Sequence, residues 1–136
     1  MKRPRDQAIG LLRKASHDLI AADATLATER ALDVVCFHAQ QAVEKSLKAV
    51  LALHDIGYPW RHDLGELLGL VRPILPQIAP YEDDILSLAP FAVGARYDAE
   101  FDPAVAEATE AFDLARRVFD LVAQTVDVDV EGWYFH

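Results

Sequence analysis

The part of the sequence best suited to binding chemistry is one polar face of a predicted helix. Gln41, Glu44, Lys45 and Lys48 are spaced by three, four and seven residues, which places them on the same side of a helix. Such a face could bind a phosphate, with the two lysines on its oxygens and Gln41 adding a directional hydrogen bond. The alternative is a solvated face held by Gln40–Glu44 and Glu44–Lys48 pairs, each worth a few tenths of a kcal/mol.

Two further groups of residues could contact an anion. Arg61 and His62 directly precede a predicted helix start at Asp63, where free backbone amides carry partial positive charge. The simpler interpretation is that Asp63 caps the helix and His62 is an ordinary loop residue. Arg96 stands beside Tyr97 and could be a surface clamp, an interface anchor or a phosphate contact.

Several standard catalytic motifs are absent from the sequence. It has no glycine-rich phosphate loop, no Gly-x-Ser-x-Gly turn, no His-Glu-x-x-His pair and no convincing metal-ligand spacing. The single cysteine, Cys36, lies in an apolar helix and is predicted to be a small core residue rather than a nucleophile. We therefore predict no catalytic residue, no metal and no cofactor.

The elements that position these residues are all predicted to be helices, because apolar residues recur every three or four positions almost throughout. Three long and two short helices with short connections predict an all-α, antiparallel up-and-down bundle. The predicted helices span about 6–29, 31–54, 63 to 70 or 71, a fourth that starts near 80–84 and is interrupted at Pro90, and 102–126.

Local signals define where these helices begin and end. Gly57 follows the second helix and is predicted to supply the permissive backbone beyond its end. Asp63 and Glu66 have the spacing of a capping box. Asp102-Pro103 predicts the start of the last helix, with a capping side chain followed by proline at the first helical position.

Length and composition indicate one soluble domain. The chain has 136 residues, 52% hydrophobic and 26% charged, and its formal net charge is −9. A charge of that sign repels nucleic acid and anionic membranes, so phosphate binding requires a local basic cluster. With no signal-peptide core and no long apolar run, we expect a cytoplasmic protein without a membrane segment.

The chain ends differently from its helical body. We assign residues 1–127 to the bundle and 128–136 to an acidic and aromatic tail, which contains Trp133-Tyr134-Phe135. Three adjacent aromatic residues are poorly suited to water, so they are predicted to dock either on the domain itself or on a partner.

Four segments, in order and in register over about residues 6 to 126, resemble the motifs of HEPN domains. The longest resembles the family's signature second helix, and the others resemble part of its first helix, the start of the helix after the second, and the Arg-Tyr element before its last helix. They are Phe37-His38-Ala39-Gln40-Gln41-Ala42-Val43-Glu44-Lys45-Ser46-Leu47-Lys48-Ala49, Asp18-Leu19, His62-Asp63-Leu64 with Leu67-Leu68, and Ala95-Arg96-Tyr97.

The resemblance implies a helical bundle, often a homodimer, that partners a minimal nucleotidyltransferase, frequently in a two-component or toxin–antitoxin pair. Nucleotide binding has been proposed for that group. On this basis we expect a non-catalytic partner subunit that binds a nucleotide or presents a substrate group. The expected binding residues are Gln41, Lys45, Lys48, His62, Arg96 and Tyr97.

Two alternatives stay open. Other branches of the family are metal-independent ribonucleases with Arg, four to six residues, then His, and no arginine of this chain is followed by that pattern. A ribonuclease toxin would therefore need an atypical acid–base set. The other alternative is a structural interaction module that anchors a partner through its aromatic tail.

Overall fold

A computed structural model describes residues 3–58, 63–92 and 99–134, and all regular structure in these ranges is helical. The predicted all-α bundle of three long and two short helices is confirmed, with two 3-10 segments in addition. The elements are α1 (Pro4–Ala27), α2 (Leu32–Leu53), α3 (Leu64–Val71), a 3-10 segment (Pro76–Tyr81), α4 (Glu82–Leu86), a second 3-10 segment (Ala89–Phe91) and α5 (Val105–Val126).

The long helices form an up-and-down arrangement around α2, which packs against α1, α3 and α5. The start of α1 lies beside the end of α5, where Nη2 of Arg5 donates to the carbonyl oxygen of Asp127 at 2.7 Å. The short segments between α2 and α5 return the chain along the bundle. The polar face of α2 lies against α1, where His38 and Lys45 contact Asp18.

Large apolar side chains from all three long helices fill the core. Leu12, Leu19, Leu47, Leu51 and Phe119 are fully buried. Each such side chain stabilises the fold by about 1.5–3 kcal/mol relative to exposure. Within the described ranges, none of the helices has an apolar stretch long enough to cross a membrane.

Prolines divide the chain between α3 and α5 into short helical pieces, here called the proline-broken segment. Pro76 opens the first 3-10 segment, Pro80 lies inside it and Pro90 lies in the second. Proline removes a backbone donor and crowds the preceding turn, so a continuous α-helix cannot pass these positions. The predicted interruption at Pro90 is confirmed, since α4 ends at Leu86.

The signals at the two ends of the segment between α2 and α3 have different outcomes. Asp63 caps α3 as predicted, since its Oδ1 accepts from the backbone N–H of Glu66 at 3.0 Å. The prediction for Gly57 is wrong, because Asp55 adopts the left-handed conformation with φ 55°. The N–H of Ile56 then donates to the carbonyl of Leu51 at 2.9 Å and closes the helix.

The predicted start of the last helix is also wrong by two residues. The N-cap of α5 is Ala104, and its N–H donates to Oε1 of Glu107 at 3.2 Å. The Glu107 side chain thus accepts from the N–H of the N-cap residue, whereas the sequence predicted Asp102 as the capping residue. The Pro103 side chain is buried against the domain instead of opening the helix.

The described part of the tail docks on the domain itself. The rings of Trp133 and Tyr134 lie 6.4 and 5.1 Å from that of Phe119, centroid to centroid. The Arg13 guanidinium stacks 3.7 Å from the Trp133 centroid, and the Tyr134 hydroxyl donates to Oδ1 of Asp120 at 2.6 Å. Of the two destinations predicted for the tail, Trp133 and Tyr134 take the domain, and Phe135 lies outside the described residues.

Candidate functional site

A buried carboxylate on α1 pairs with two residues of the polar face of α2. The Asp18 side chain is only 10% exposed, and each of its oxygens accepts from a different residue of α2. Nδ1 of His38 lies 2.9 Å from Oδ1, and Nζ of Lys45 lies 2.5 Å from Oδ2. A proton on Nδ1 of His38 is required to donate to the carboxylate, so in the neutral ring Nε2 is the acceptor nitrogen.

A second buried acid lies on α2 itself, and its contacts interleave with those of Asp18 along the helix. Glu44 is 2% exposed and accepts from Nε2 of Gln40 at 3.3 Å and from Nζ of Lys48 at 3.2 Å. Nε2 of Gln41 donates to Oε1 of Gln40 at 2.7 Å. The Gln40–Glu44 and Glu44–Lys48 pairs are confirmed, but the face is not a solvated one, because Gln40 and Glu44 are buried.

The two lysines are partly accessible although both are paired. The Lys45 and Lys48 side chains are 29% and 13% exposed. Nζ of Lys48 also lies 5.5 Å from the centroid of the Tyr58 ring, at the last described residue before range 59–62. Each lysine thus keeps part of its side chain accessible while its ammonium is paired.

The structure brings together only part of the predicted binding set. Gln41, Lys45 and Lys48 share one face of α2, as their spacing indicates. The other three predicted residues lie in ranges 59–62 and 93–98, outside the described residues. These are His62, Arg96 and Tyr97.

Three residues that organise the site were missed as site residues by sequence reasoning: Asp18, His38 and Glu44. Asp18 stands three residues after Ala15 and four before Ala22, both buried on the core side of α1. A carboxylate at such a position requires a partner, and this was the available signal. His38 precedes Lys45 by seven residues, which is two helical turns on the same face.

The described site has balanced charge. Two carboxylates face two ammonium groups, and protonation of His38 would add one positive charge. Each ammonium has three N–H donors, and its ion pair with Asp18 or Glu44 uses one of them. Both lysines can therefore bind an anion without leaving their carboxylates.

The described residues contain no cluster of metal ligands, and their one thiol is buried. No group of three His, Cys, Asp or Glu side chains in these ranges could hold a metal ion. Cys36 is fully buried, and burial together with the nearby carboxylates of Glu107 and Asp33 raises the pKa of its thiol to about 11. The core role predicted for Cys36 is confirmed by its burial.

Comparison with known families decides the classification. A family model described as HEPN domain matches residues 9–125, well over half of the chain. The chain belongs to the HEPN domain family. No curated protein and no solved structure shows a significant match to it. The HEPN match spans both networks on α2 and all six predicted binding residues.

Proposed function

We propose that this HEPN protein is a non-catalytic, homodimeric partner subunit of a minimal nucleotidyltransferase in the cytoplasm, in a two-component pair of the toxin–antitoxin type. In this proposal it binds a nucleotide through Gln41, Lys45 and Lys48, with His62, Arg96 and Tyr97 completing the site. The lysines neutralise phosphate, Arg96 binds it bidentately and Tyr97 stacks or donates its hydroxyl.

The observation that carries this proposal is the arrangement of the two lysines. They lie about one helical turn apart on α2, and a buried carboxylate, Asp18 or Glu44, holds each one. Because their side chains are held in place before a ligand arrives, little side-chain entropy is lost on binding a phosphate. The remaining N–H donors of each ammonium are the groups that would meet its oxygens.

The sequence favours a binding role over the cleavage reaction of the ribonuclease branches. None of the nine arginines is followed by four to six residues and a histidine. Without an imidazole at that position, the general acid–base set of the ribonuclease branches is missing. Such a sequence is consistent with a subunit that binds a nucleotide or presents a substrate group without cleaving RNA.

The nucleotide site can be tested with variants that remove whole ion pairs. Removing a lysine alone would leave a buried carboxylate without its ammonium partner, so we choose Asp18→Asn with Lys45→Met, and Glu44→Gln with Lys48→Met. Lys14→Met removes an exposed lysine of α1 and is the matched control. By calorimetric titration with ATP, each paired variant should lose at least about tenfold in affinity, while the control stays unchanged. Unchanged affinity in both paired variants would exclude this site.

The partner is tested separately. Tagged protein is recovered from a lysate of its source cells, and co-purifying proteins are identified and quantified by mass spectrometry. A small nucleotidyltransferase in stoichiometric amount is the expected result. Recovery of the chain alone, measured by light scattering as a dimer, would contradict the two-component role but leave nucleotide binding to the titration above.

A second candidate function is favoured by one observation, the contact between His38 and Asp18. Asp18 holds the imidazole through Nδ1 beside the Lys45 ammonium, so Nε2 could take the proton of an RNA 2′-hydroxyl. The 2′-oxygen–phosphorus bond would form, the bond to the 5′-oxygen would break, and water would protonate that oxygen. This is an atypical ribonuclease.

RNA incubated with pure protein and a chelator tests this alternative. Cleavage that falls by about a hundredfold or more in His38→Gln would support it, and loss in Arg96→Ala would extend the site to that arginine. Inert wild-type protein would exclude the ribonuclease and leave the binding role.

A further inference from the structure

A cleft lined by residues from ranges 80–91 and 107–117 is built from side chains that the proposed function does not use. It has a volume of about 550 Å³ and lies between the proline-broken segment and the first half of α5. Tyr81, Leu88 and Phe91 line one side, and Ala111 and Leu114 line the other. This volume suits one or two large side chains or a small ligand.

The rim of the cleft is strongly acidic. Asp84 and Glu110 make no ion pair with any described residue, and Asp113 lies 3.6 Å from Arg116 within α5. The charged side chains that line the cleft are Asp84, Glu107, Glu110, Asp113 and Arg117. Four carboxylates against one guanidinium give the cleft a negative potential that its own residues do not neutralise.

An apolar floor and a negative rim together select the occupant. A purely apolar segment would strip water from the rim carboxylates without compensating them, whereas Lys and Arg side chains would pair with them. A second copy of this chain has 13 Lys and Arg against 22 Asp and Glu and so offers few cations to these carboxylates, which places the proposed homodimer contact on another face. RNA is an anion and is repelled by the negative rim.

We infer that this cleft docks a basic amphipathic segment of a different protein. A large apolar side chain of that segment sits between Leu88 and Leu114, and flanking Lys or Arg side chains pair with Asp84 and Glu110. The inference requires a partner protein but not nucleotide binding, and it holds whether or not that partner is a nucleotidyltransferase.

Photo-crosslinking in the source cells tests this inference on the full chain. Ser87, an exposed lining residue, is replaced as Ser87→p-benzoylphenylalanine, and the attached peptide is identified by mass spectrometry. The expected product is a segment of another protein with Lys or Arg on both sides of a large apolar residue. The same substitution at Lys14, on α1, is the positional control and should not capture that segment.

Charge reversal then tests the role of the rim. Added to the Ser87 variant, Glu110→Lys on α5 or Asp84→Lys on α4 should lower the yield of that product by roughly tenfold. Asp23→Lys makes the same change in net charge at an exposed position of α1 and should leave the yield unchanged. Circular dichroism confirms that each variant is folded, and because two independent rim positions are used, one misfolded variant does not decide the result.

Four outcomes would overturn the inference: an acidic or uncharged captured segment, a segment from a second copy of this chain, no product at all, or an equal loss with Asp23→Lys. The nucleotidyltransferase role is judged by the separate pull-down described above. A basic segment from any other protein would therefore support the docking site and leave the proposed partner to that pull-down.

Discussion

Nδ1 of His38 lies 2.9 Å from Oδ1 of Asp18, and this contact joins the first half of α2 to the second half of α1. Lys45, seven residues after His38, binds the other oxygen of the same carboxylate. A carboxylate that is 10% exposed is thus compensated on both oxygens by two turns of one helix. The contact fixes the register of α1 against α2 and holds an imidazole and an ammonium side by side.

Removing one partner of the Asp18–Lys45 pair should have unequal effects. Lys45→Met leaves a buried carboxylate with His38 as its remaining described partner, whereas Asp18→Asn leaves an ammonium that is 29% exposed and can be hydrated. We expect Lys45→Met to lower the free energy of unfolding by about 2–3 kcal/mol and Asp18→Asn by about 1 kcal/mol. Urea denaturation followed by circular dichroism measures both.

The double variant supplies the control for this prediction. Asp18→Asn with Lys45→Met leaves no uncompensated charge, so its cost should be smaller than the sum of the single costs by about 1 kcal/mol or more. Strict additivity would show that the two side chains do not interact in solution.

The sequence predicted most of the bundle because its helices carry their own signals. These signals are all local: the apolar spacing of α1 and α2, the prolines between α3 and α5, and the Asp63 cap. Each corresponds to a described element. The errors arise where two local signals compete. Asp102-Pro103 and Glu107 each could start the last helix, and burial of Pro103, a tertiary effect, decides between them.

The site was less predictable because two of its five side-chain hydrogen bonds join different helices. Spacing within α2 predicted the pairs of Glu44 with Gln40 and Lys48, since all three lie on one helix. It could not identify Asp18 as the partner of Lys45, because that contact depends on how α1 packs against α2. Spacing also cannot report burial, which is why a solvated face was expected where Glu44 is buried.

The N-terminal cap of α3 should contribute measurably to stability. Asp63→Ala removes the acceptor of the Glu66 N–H, a bond of 3.0 Å, and should cost about 1 kcal/mol. Asp63→Asn keeps an acceptor oxygen and is the matched control, with an expected cost of a few tenths of a kcal/mol. Equal losses in the two variants, measured by urea denaturation, would show that charge rather than the hydrogen bond matters.

The tail should stabilise the domain on which it docks. Deletion of residues 132–136 removes the rings that pack on Phe119 and the stack on Arg13, which should lower the melting temperature by about 5–10 °C. An unchanged melting temperature would mean that the tail is not docked in solution. If the deletion also leaves dimerisation and partner capture intact, a tail-anchored interaction module is excluded.

A milder variant isolates the hydroxyl of Tyr134. Burial and the hydrogen bond to Asp120 raise the pKa of this phenol above its ordinary value, so it stays protonated and donates across the usual pH range. Tyr134→Phe keeps the ring and loses the 2.6 Å bond, at an expected cost of about 1 kcal/mol. A cost equal to that of deleting the whole tail would contradict the assignment of most of the stabilisation to ring packing.

The buried thiol of Cys36 predicts how stability changes at high pH. Burial raises the pKa of Cys36 from 9.0 to about 11, so the folded chain retains this proton where the unfolded chain releases it. The stabilisation that comes from this difference is complete below pH 9 and is lost as the pH rises towards 11. Relative to Cys36→Ala, the wild type should lose on the order of 2 kcal/mol over that interval. Urea denaturation of both proteins from about pH 8 to about pH 11, a range that includes both pKa values of Cys36, measures the difference. Parallel curves of stability against pH would contradict the prediction.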